Sequence, residues 1–183
     1  MNDIEVKASS IEGWGIFAVR AFHVGERISR VNVIREITAD SPIREELGER
    51  IDHCDYPDGK VVLLGFPDCH INHCCDPNAY QLFQGETSYL VARRDIFAGE
   101  EITIDYNINI TSGTSWPCNC GSKRCRKEVV GDFFLLPEEW QHEYRPLLAD
   151  WFVQRNPDRV KAIDQIGHGL TRRFPKESSE GVL

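Results

Sequence analysis

The 183-residue sequence predicts a mainly β fold of several small sheets with a C-terminal helical extension. Three observations carry this. Short runs of β-branched and aromatic residues, bounded by glycine, proline, asparagine or aspartate, fill the first two-thirds of the chain. A dense cysteine segment, Cys118-x-Cys120-x4-Cys125, follows them. Beyond it, aromatic and leucine residues recur at the spacing of one helix face.

Residues 6–19 read as two short strands around a turn that holds Gly13-Trp14-Gly15. Residues 27–34 are strand-like through Ile28, Val31, Val33 and Ile34. Residues 43–51 fit one or two helical turns, with Ser41 placed to cap them ahead of Pro42. Further strands are expected over 60–65, 80–83, 89–93 and 101–105. Trp140, Tyr144, Leu147, Leu148 and Trp151 then form the helical stripe, which reads as core packing, with a break expected at Pro146. Asn156-Pro157 looks like a fresh helix start, asparagine as cap and proline at the first position. Four segments result: a β body over 5–115, a cysteine loop over 116–130, a helical extension over 131–167, and a polar, flexible tail over 168–183.

Bulk properties narrow the function. A net charge of -8 repels nucleic-acid phosphates, so direct nucleic-acid binding is not expected. The same acidity favours basic protein partners, and it also serves solubility. No apolar run approaches the roughly 20 residues of a membrane span. The first residues have neither a basic nor an apolar signal region, so a soluble intracellular protein is expected, cytoplasmic or, in a eukaryote, nuclear. Seven cysteines without a secretion signal argue for metal binding over disulfides. Cys118, Cys120 and Cys125 supply three thiolates on one loop, and a structural zinc wants four ligands. The fourth is expected from Cys75 or Cys74, which would fasten the loop beside Asn72-His73. The neighbouring Lys123, Arg124, Arg126 and Lys127 read as a solvated basic face.

Four motifs in order carry a resemblance: Gly13-Trp14-Gly15-Ile16-Phe17-Ala18, Asn72-His73-x-Cys75-x-Pro77-Asn78, Gly99-Glu100-Glu101-Ile102-x-x-Asp105-Tyr106, and the three-cysteine loop. Together they resemble a SET-domain protein lysine methyltransferase, over about residues 5–130, with a post-SET zinc loop and no pre-SET cluster. The resemblance implies a β-clip in which 72–78 and 99–106 form a pseudoknot. It implies S-adenosyl-L-methionine on one side and a lysine channel on the other. Gly13, Trp14, Gly15, Asn72 and His73 would then contact the cofactor. Tyr106 would be the catalytic residue that orients the amine, with carbonyl oxygens lining the channel. Cys75 would join Cys118, Cys120 and Cys125 on one structural Zn2+. Asn78 and Asp105 would hold the knot through hydrogen bonds to main chain.

Two departures from the family pattern bear on chemistry. Ile104 stands where family members often carry an aromatic residue that sets how many methyl groups are added, and Tyr80 could supply a hydroxyl to the channel from the next strand. Mono-, di- and trimethylation therefore stay open. The segment 63–70 also differs from the usual basic-aromatic lead-in to the Asn-His motif. The expected function is transfer of a methyl group to the ε-amine of lysine in a protein substrate, a histone or another basic protein. The alternative is a SET-like module that has lost catalysis and only binds a partner. Neither oligomeric state nor source organism can be read from the chain.

Overall fold

The structure, a computed structural model, describes residues 3–170. The strands are β1 (Ile4–Ala8), β2 (Trp14–Ala18), β3 (Arg27–Arg30), β4 (Val33–Ile37), β5 (Cys54–Asp55), β6 (Val61–Leu64), β7 (Asn72–His73), β8 (Ala79–Gln84), β9 (Thr87–Ala92), β10 (Glu101–Ile104), β11 (Trp116–Pro117) and β12 (Glu128–Val129). The helices α1 (Glu138–Tyr144), α2 (Asp150–Arg155) and α3 (Pro157–Leu170) follow them. Among the described residues the strands form a four-stranded sheet in the order β1-β2-β10-β7, two three-stranded sheets, β3-β9-β8 and β4-β6-β5, and the ribbon β11-β12. This is the mainly β architecture of small sheets that the sequence predicts. No helix among the described residues is long and apolar enough to cross a membrane.

Local physics adjusts several boundaries. The first turn lies ahead of the glycine motif, closed by Ser9 N–H to Gly13 O at 3.0 Å. Trp14 and Gly15 already belong to β2, so only Gly13, at φ +44°, keeps the expected turn position. The single strand expected over 27–34 is two strands in different sheets. Between them Val31 N–H bonds to Ser88 O (2.9 Å), whereas Asn32 N–H turns to the Asp68 carboxylate (3.0 Å). Residues 43–51 yield two 3-10 turns, Glu45–Leu47 and Ile51–His53, and Ser41 Oγ accepts from Arg35 instead of capping a helix.

The alternation of the strands builds the main core, where Ile16, Phe22, Ala79, Leu90, Ile96 and Ile102 are nearly or fully buried. A second core joins the extension to the body around Phe133, Leu136, Tyr144, Phe152, Val160 and Ile163. The aromatic stripe is packing, as expected. Pro146 sits in a 3-10 turn, Arg145–Leu147, that separates α1 from α2. Asn156 starts α3 through its carbonyl, which accepts Val160 N–H at 3.0 Å. Its side chain turns back and donates to Phe152 O (2.9 Å), closing α2 where a cap of α3 was expected. Helix α3 runs through Leu170, so 168–170 are helical where a tail was expected, and the rest of that expectation, 171–183, lies outside the described residues.

The segments 72–78 and 99–106 are tied together. Strands β7 and β10 pair in parallel (Thr103 with Asn72, Ile104 with His73), and Cys74 N–H extends the ladder to Ile104 O at 2.9 Å. Beyond that point Asn78 takes the place of a strand. Its buried amide donates to Glu101 O (2.8 Å) and accepts Thr103 N–H (2.9 Å). Replacing it with alanine leaves two buried backbone groups unpaired, each costing about 1–3 kcal/mol. Asn78→Ala is therefore expected to lower unfolding free energy by about 2–6 kcal/mol in denaturant titration, with an unchanged slope.

Candidate active site

Asn72 ties the glycine loop to the knot. Its Nδ2 donates to Trp14 O (3.0 Å) and Glu101 Oε1 (2.8 Å), with Glu12 O at 3.2 Å. Ser9 Oγ donates to the same carboxylate at 2.8 Å. A Cβ on Gly15 would lie 2.2 Å from Glu101 Oε1, so any larger residue there has to displace that carboxylate from its place beside Asn72 and Ser9. Gly13 and Trp14 line a cavity of about 940 Å³, large for a small-molecule site. Trp14 is 58% exposed at its rim.

The cavity wall also holds Asn72, His73, Tyr80, Ile104, Tyr106, Cys118 and Cys120. Three expected site residues lie behind it. Gly15 backs onto Glu101, while Cys75 and Cys125 pack with Cys118, Cys120 and Val129. Burial pushes the Tyr106 phenol well above its ordinary pKa, with Asp55 the strongest acting charge, so the hydroxyl stays protonated. That hydroxyl donates to the carbonyl of Ile71.

His73 has a buried ring. Its Nδ1 accepts Tyr106 N–H at 3.1 Å, and its Nε2 lies 3.4 Å from Cys75 Sγ. Burial lowers its pKa to about 4, outweighing the opposite pull of Asp105, so the imidazole is neutral near pH 7. With Nδ1 accepting, the proton resides on Nε2 and points at the sulfur. The ring thus links the tyrosine backbone to the cysteine corner.

The Sγ atoms of Cys75, Cys118, Cys120 and Cys125 lie within 4.8 Å of one another. Cys75 and Cys118 sulfurs are 3.7 Å apart, matching the edge of about 3.8 Å in a zinc–thiolate tetrahedron with bonds of about 2.3 Å. Backbone N–H groups point at three of these sulfurs: Arg126 at Cys75 (3.4 Å), Cys75 at Cys120 (3.5 Å) and Lys127 at Cys125 (3.4 Å). Such donors favour thiolates. The cluster is therefore compatible with a zinc site. Cys74 stands outside it, its sulfur accepting Asp76 N–H at 3.4 Å.

Three features escaped the sequence reading. Ile71 enters the site through its carbonyl, which side-chain chemistry cannot announce. Asp55, on β5 in the cavity wall, has its pKa raised by burial although Gln81 and the Tyr56 amide donate to it. The basic run is solvated only in part: Lys123 and Lys127 are exposed, whereas Arg126, its side chain 9% exposed, pairs with Asp105 (2.6 Å) and Arg124 pairs with Glu143 (2.6 Å). Asp105 also accepts from the main chain and side chain of Asn107 (3.1 and 2.7 Å), so it joins the strand end to the cysteine loop. The helical extension meets this corner too, since Tyr144 OH and Trp140 Nε1 donate to Cys75 O at 3.1 and 3.3 Å.

The family model described as SET domain matches residues 13–107. "Histone-lysine N-methyltransferase 2B" of Homo sapiens is 33% identical over 138 residues, covering 68% of this chain and 5% of that protein. "Histone-lysine N-methyltransferase set1" of Dictyostelium discoideum is 33% identical over 140 residues, covering 69% of this chain and 9% of that protein. "Histone-lysine N-methyltransferase, H3 lysine-36 specific" of Eremothecium gossypii is 29% identical over 187 residues, covering 81% of this chain and 27% of that protein. The chain thus spans a small part of each relative. The matched residues contain the glycine loop, the Asn-His segment and Tyr106, and the chain belongs to the SET domain family.

Proposed function

We propose that this protein transfers a methyl group from S-adenosyl-L-methionine to the ε-amine of a lysine in a basic protein substrate. The observation that carries the reading is one cavity shared by the Gly13-Trp14 backbone, Asn72 and a buried, protonated Tyr106 hydroxyl. Its volume and exposed backbone fit a nucleoside-sized donor. That donor supplies, when bound, a methyl group on a sulfonium that an amine can displace in line. The names of the relatives supply the substrate class, lysine of a histone-like protein, and with it a nuclear setting.

The chain's own residues position the amine. A free lysine has a pKa near 10.4, and burial in a water-poor channel disfavours its ammonium form. The neutral amine needs acceptors for its N–H groups and an unobstructed lone pair. The Ile71 carbonyl and the Tyr106 oxygen supply acceptors, and the tyrosine ring fixes the angle of approach. Asn72 holds the glycine loop in place, and His73 locks the Tyr106 backbone. Zinc on Cys75, Cys118, Cys120 and Cys125 would fasten residues 116–120 as the cavity's roof.

Incubation with methyl-labelled S-adenosyl-L-methionine and core histones, read by mass spectrometry, tests the reaction. Label on lysine ε-amines is expected. Cofactor binding without transfer to any basic protein supports the binding-module alternative, and absence of cofactor binding overturns the proposal. Ile104, half-buried in the cavity wall, bears on product. Ile104→Phe is expected to shift products toward fewer methyl groups per lysine, because a larger side chain removes room for a methylated amine. An unchanged product distribution would show that another group sets it.

A further inference from the structure

A second cluster of metal-ligating side chains lies apart from the four cysteines. The ligand atoms of His53, Cys69 and His70 all lie within 4.8 Å of one another. His53 ends the 3-10 turn Ile51–His53, and Cys69 and His70 belong to another 3-10 turn, Asp68–His70. Successive side chains of such a turn diverge by about 120°, yet here two of them converge with a third from a separate element. The two imidazoles meet edge to face, with ring centres 5.6 Å apart. Neither makes a hydrogen bond among the described residues, so their nitrogens are available. All three residues are half-buried and line the 940 Å³ cavity.

We propose that His53, Cys69 and His70 form a second transition-metal site, one that takes a divalent ion of the zinc class. Two imidazoles and one thiolate are the donor set that such borderline ions favour over magnesium or calcium. Zinc bonds of about 2.0–2.3 Å place ligand atoms about 3.3–3.8 Å apart, which small side-chain rotations reach from this arrangement. Three protein ligands leave a fourth position, and it faces the cavity, where water or an incoming ligand completes the tetrahedron. The ion bridges the 51–53 wall to the 68–70 turn, whose next residue, Ile71, accepts the Tyr106 hydroxyl. Occupancy therefore stiffens the wall beside that hydroxyl. This is the segment that departs from the usual lead-in to the Asn-His motif, and the departure supplies the ligands Cys69 and His70.

The test uses the full chain holding one equivalent of zinc. Cobalt(II) is then titrated in and followed by visible absorption, because cobalt displaces zinc poorly from thiolates and reports a new site through its own colour. The wild type is expected to bind one further ion, with tetrahedral cobalt bands and a single-thiolate charge-transfer band. Cys69→Ser is expected to abolish that charge-transfer band. His53→Gln with His70→Gln is expected to weaken the second ion at least about 100-fold, the upper end of what losing a mere supporting partner costs. The first zinc and the melting temperature report whether each variant folds. If the double variant unfolds, His53→Gln alone is expected to weaken the second ion at least about tenfold. Hydrogen exchange in the wild type is expected to slow at 51–56 and 67–71 on adding the second ion. A stoichiometry of one ion per wild-type chain, or a second ion bound equally well by the histidine variants, overturns the proposal.

Discussion

Tyr106→Phe is expected to lower kcat/KM for methyl transfer at least about 100-fold, the penalty for misplacing a reacting group by about 1 Å. The ring is held by packing beside His73, at 5.4 Å between centres, so phenylalanine fits the same space. The hydroxyl is what disappears, and with it the donor to Ile71 O and the oxygen proposed to accept from the amine. Cofactor affinity, measured by calorimetry, is expected to stay within about threefold, because Gly13, Trp14 and Asn72 are untouched. Unfolding free energy should fall by only about 1 kcal/mol, the worth of one hydrogen bond. A large drop in cofactor binding would place Tyr106 in cofactor recognition, and full activity would remove it from the mechanism.

Zinc removal is expected to have the second large effect. Chelation should speed hydrogen exchange across residues 116–127 and weaken cofactor binding by about tenfold or more, equivalent to about 1.4 kcal/mol. The main β core, built around Ile16, Leu90 and Ile102, contains none of the four thiolates and should keep its protection. Cys75→Ser is expected to reproduce the chelated state, and Cys74→Ser to retain one zinc, since only Cys75 faces the other three sulfurs. Metal content measured alongside exchange separates these outcomes. Global unfolding on chelation would contradict an independent core. Equal zinc loss in both serine variants would contradict the ligand set.

The cavity shows how far the residues alone can lead. The cysteine loop was legible from its own chemistry, whereas Asn72 and Tyr106 were singled out by the resemblance that their motifs carry. Clustered thiolates announce themselves in a short stretch of sequence. Asn78 was legible as a residue that holds the knot, and its two main-chain hydrogen bonds bear that out. His73 was expected at the cofactor; it lines the cavity, and its ring also joins Tyr106 to Cys75, a link that depends on which way a strand end faces. Arg126 looked solvated because neighbouring cations usually are. Its partner Asp105 lies 21 residues upstream, and only folding brings the two together.

The sequence by itself determined the class of fold, through short β-branched runs bounded by turn residues, and its four motifs carried the resemblance that points to Tyr106. Both rest on local patterns of residues, which survive without coordinates. Only the tertiary structure decided that Ile71 contributes a carbonyl, that Asp55 shares the cavity, and that the Cys75 carbonyl anchors the helices. It alone gathered His53 with Cys69 and His70 across the 3-10 turns. The reason is physical: backbone carbonyls carry no side-chain signature, and contacts between distant segments are set by how small sheets pack, which no local pattern encodes.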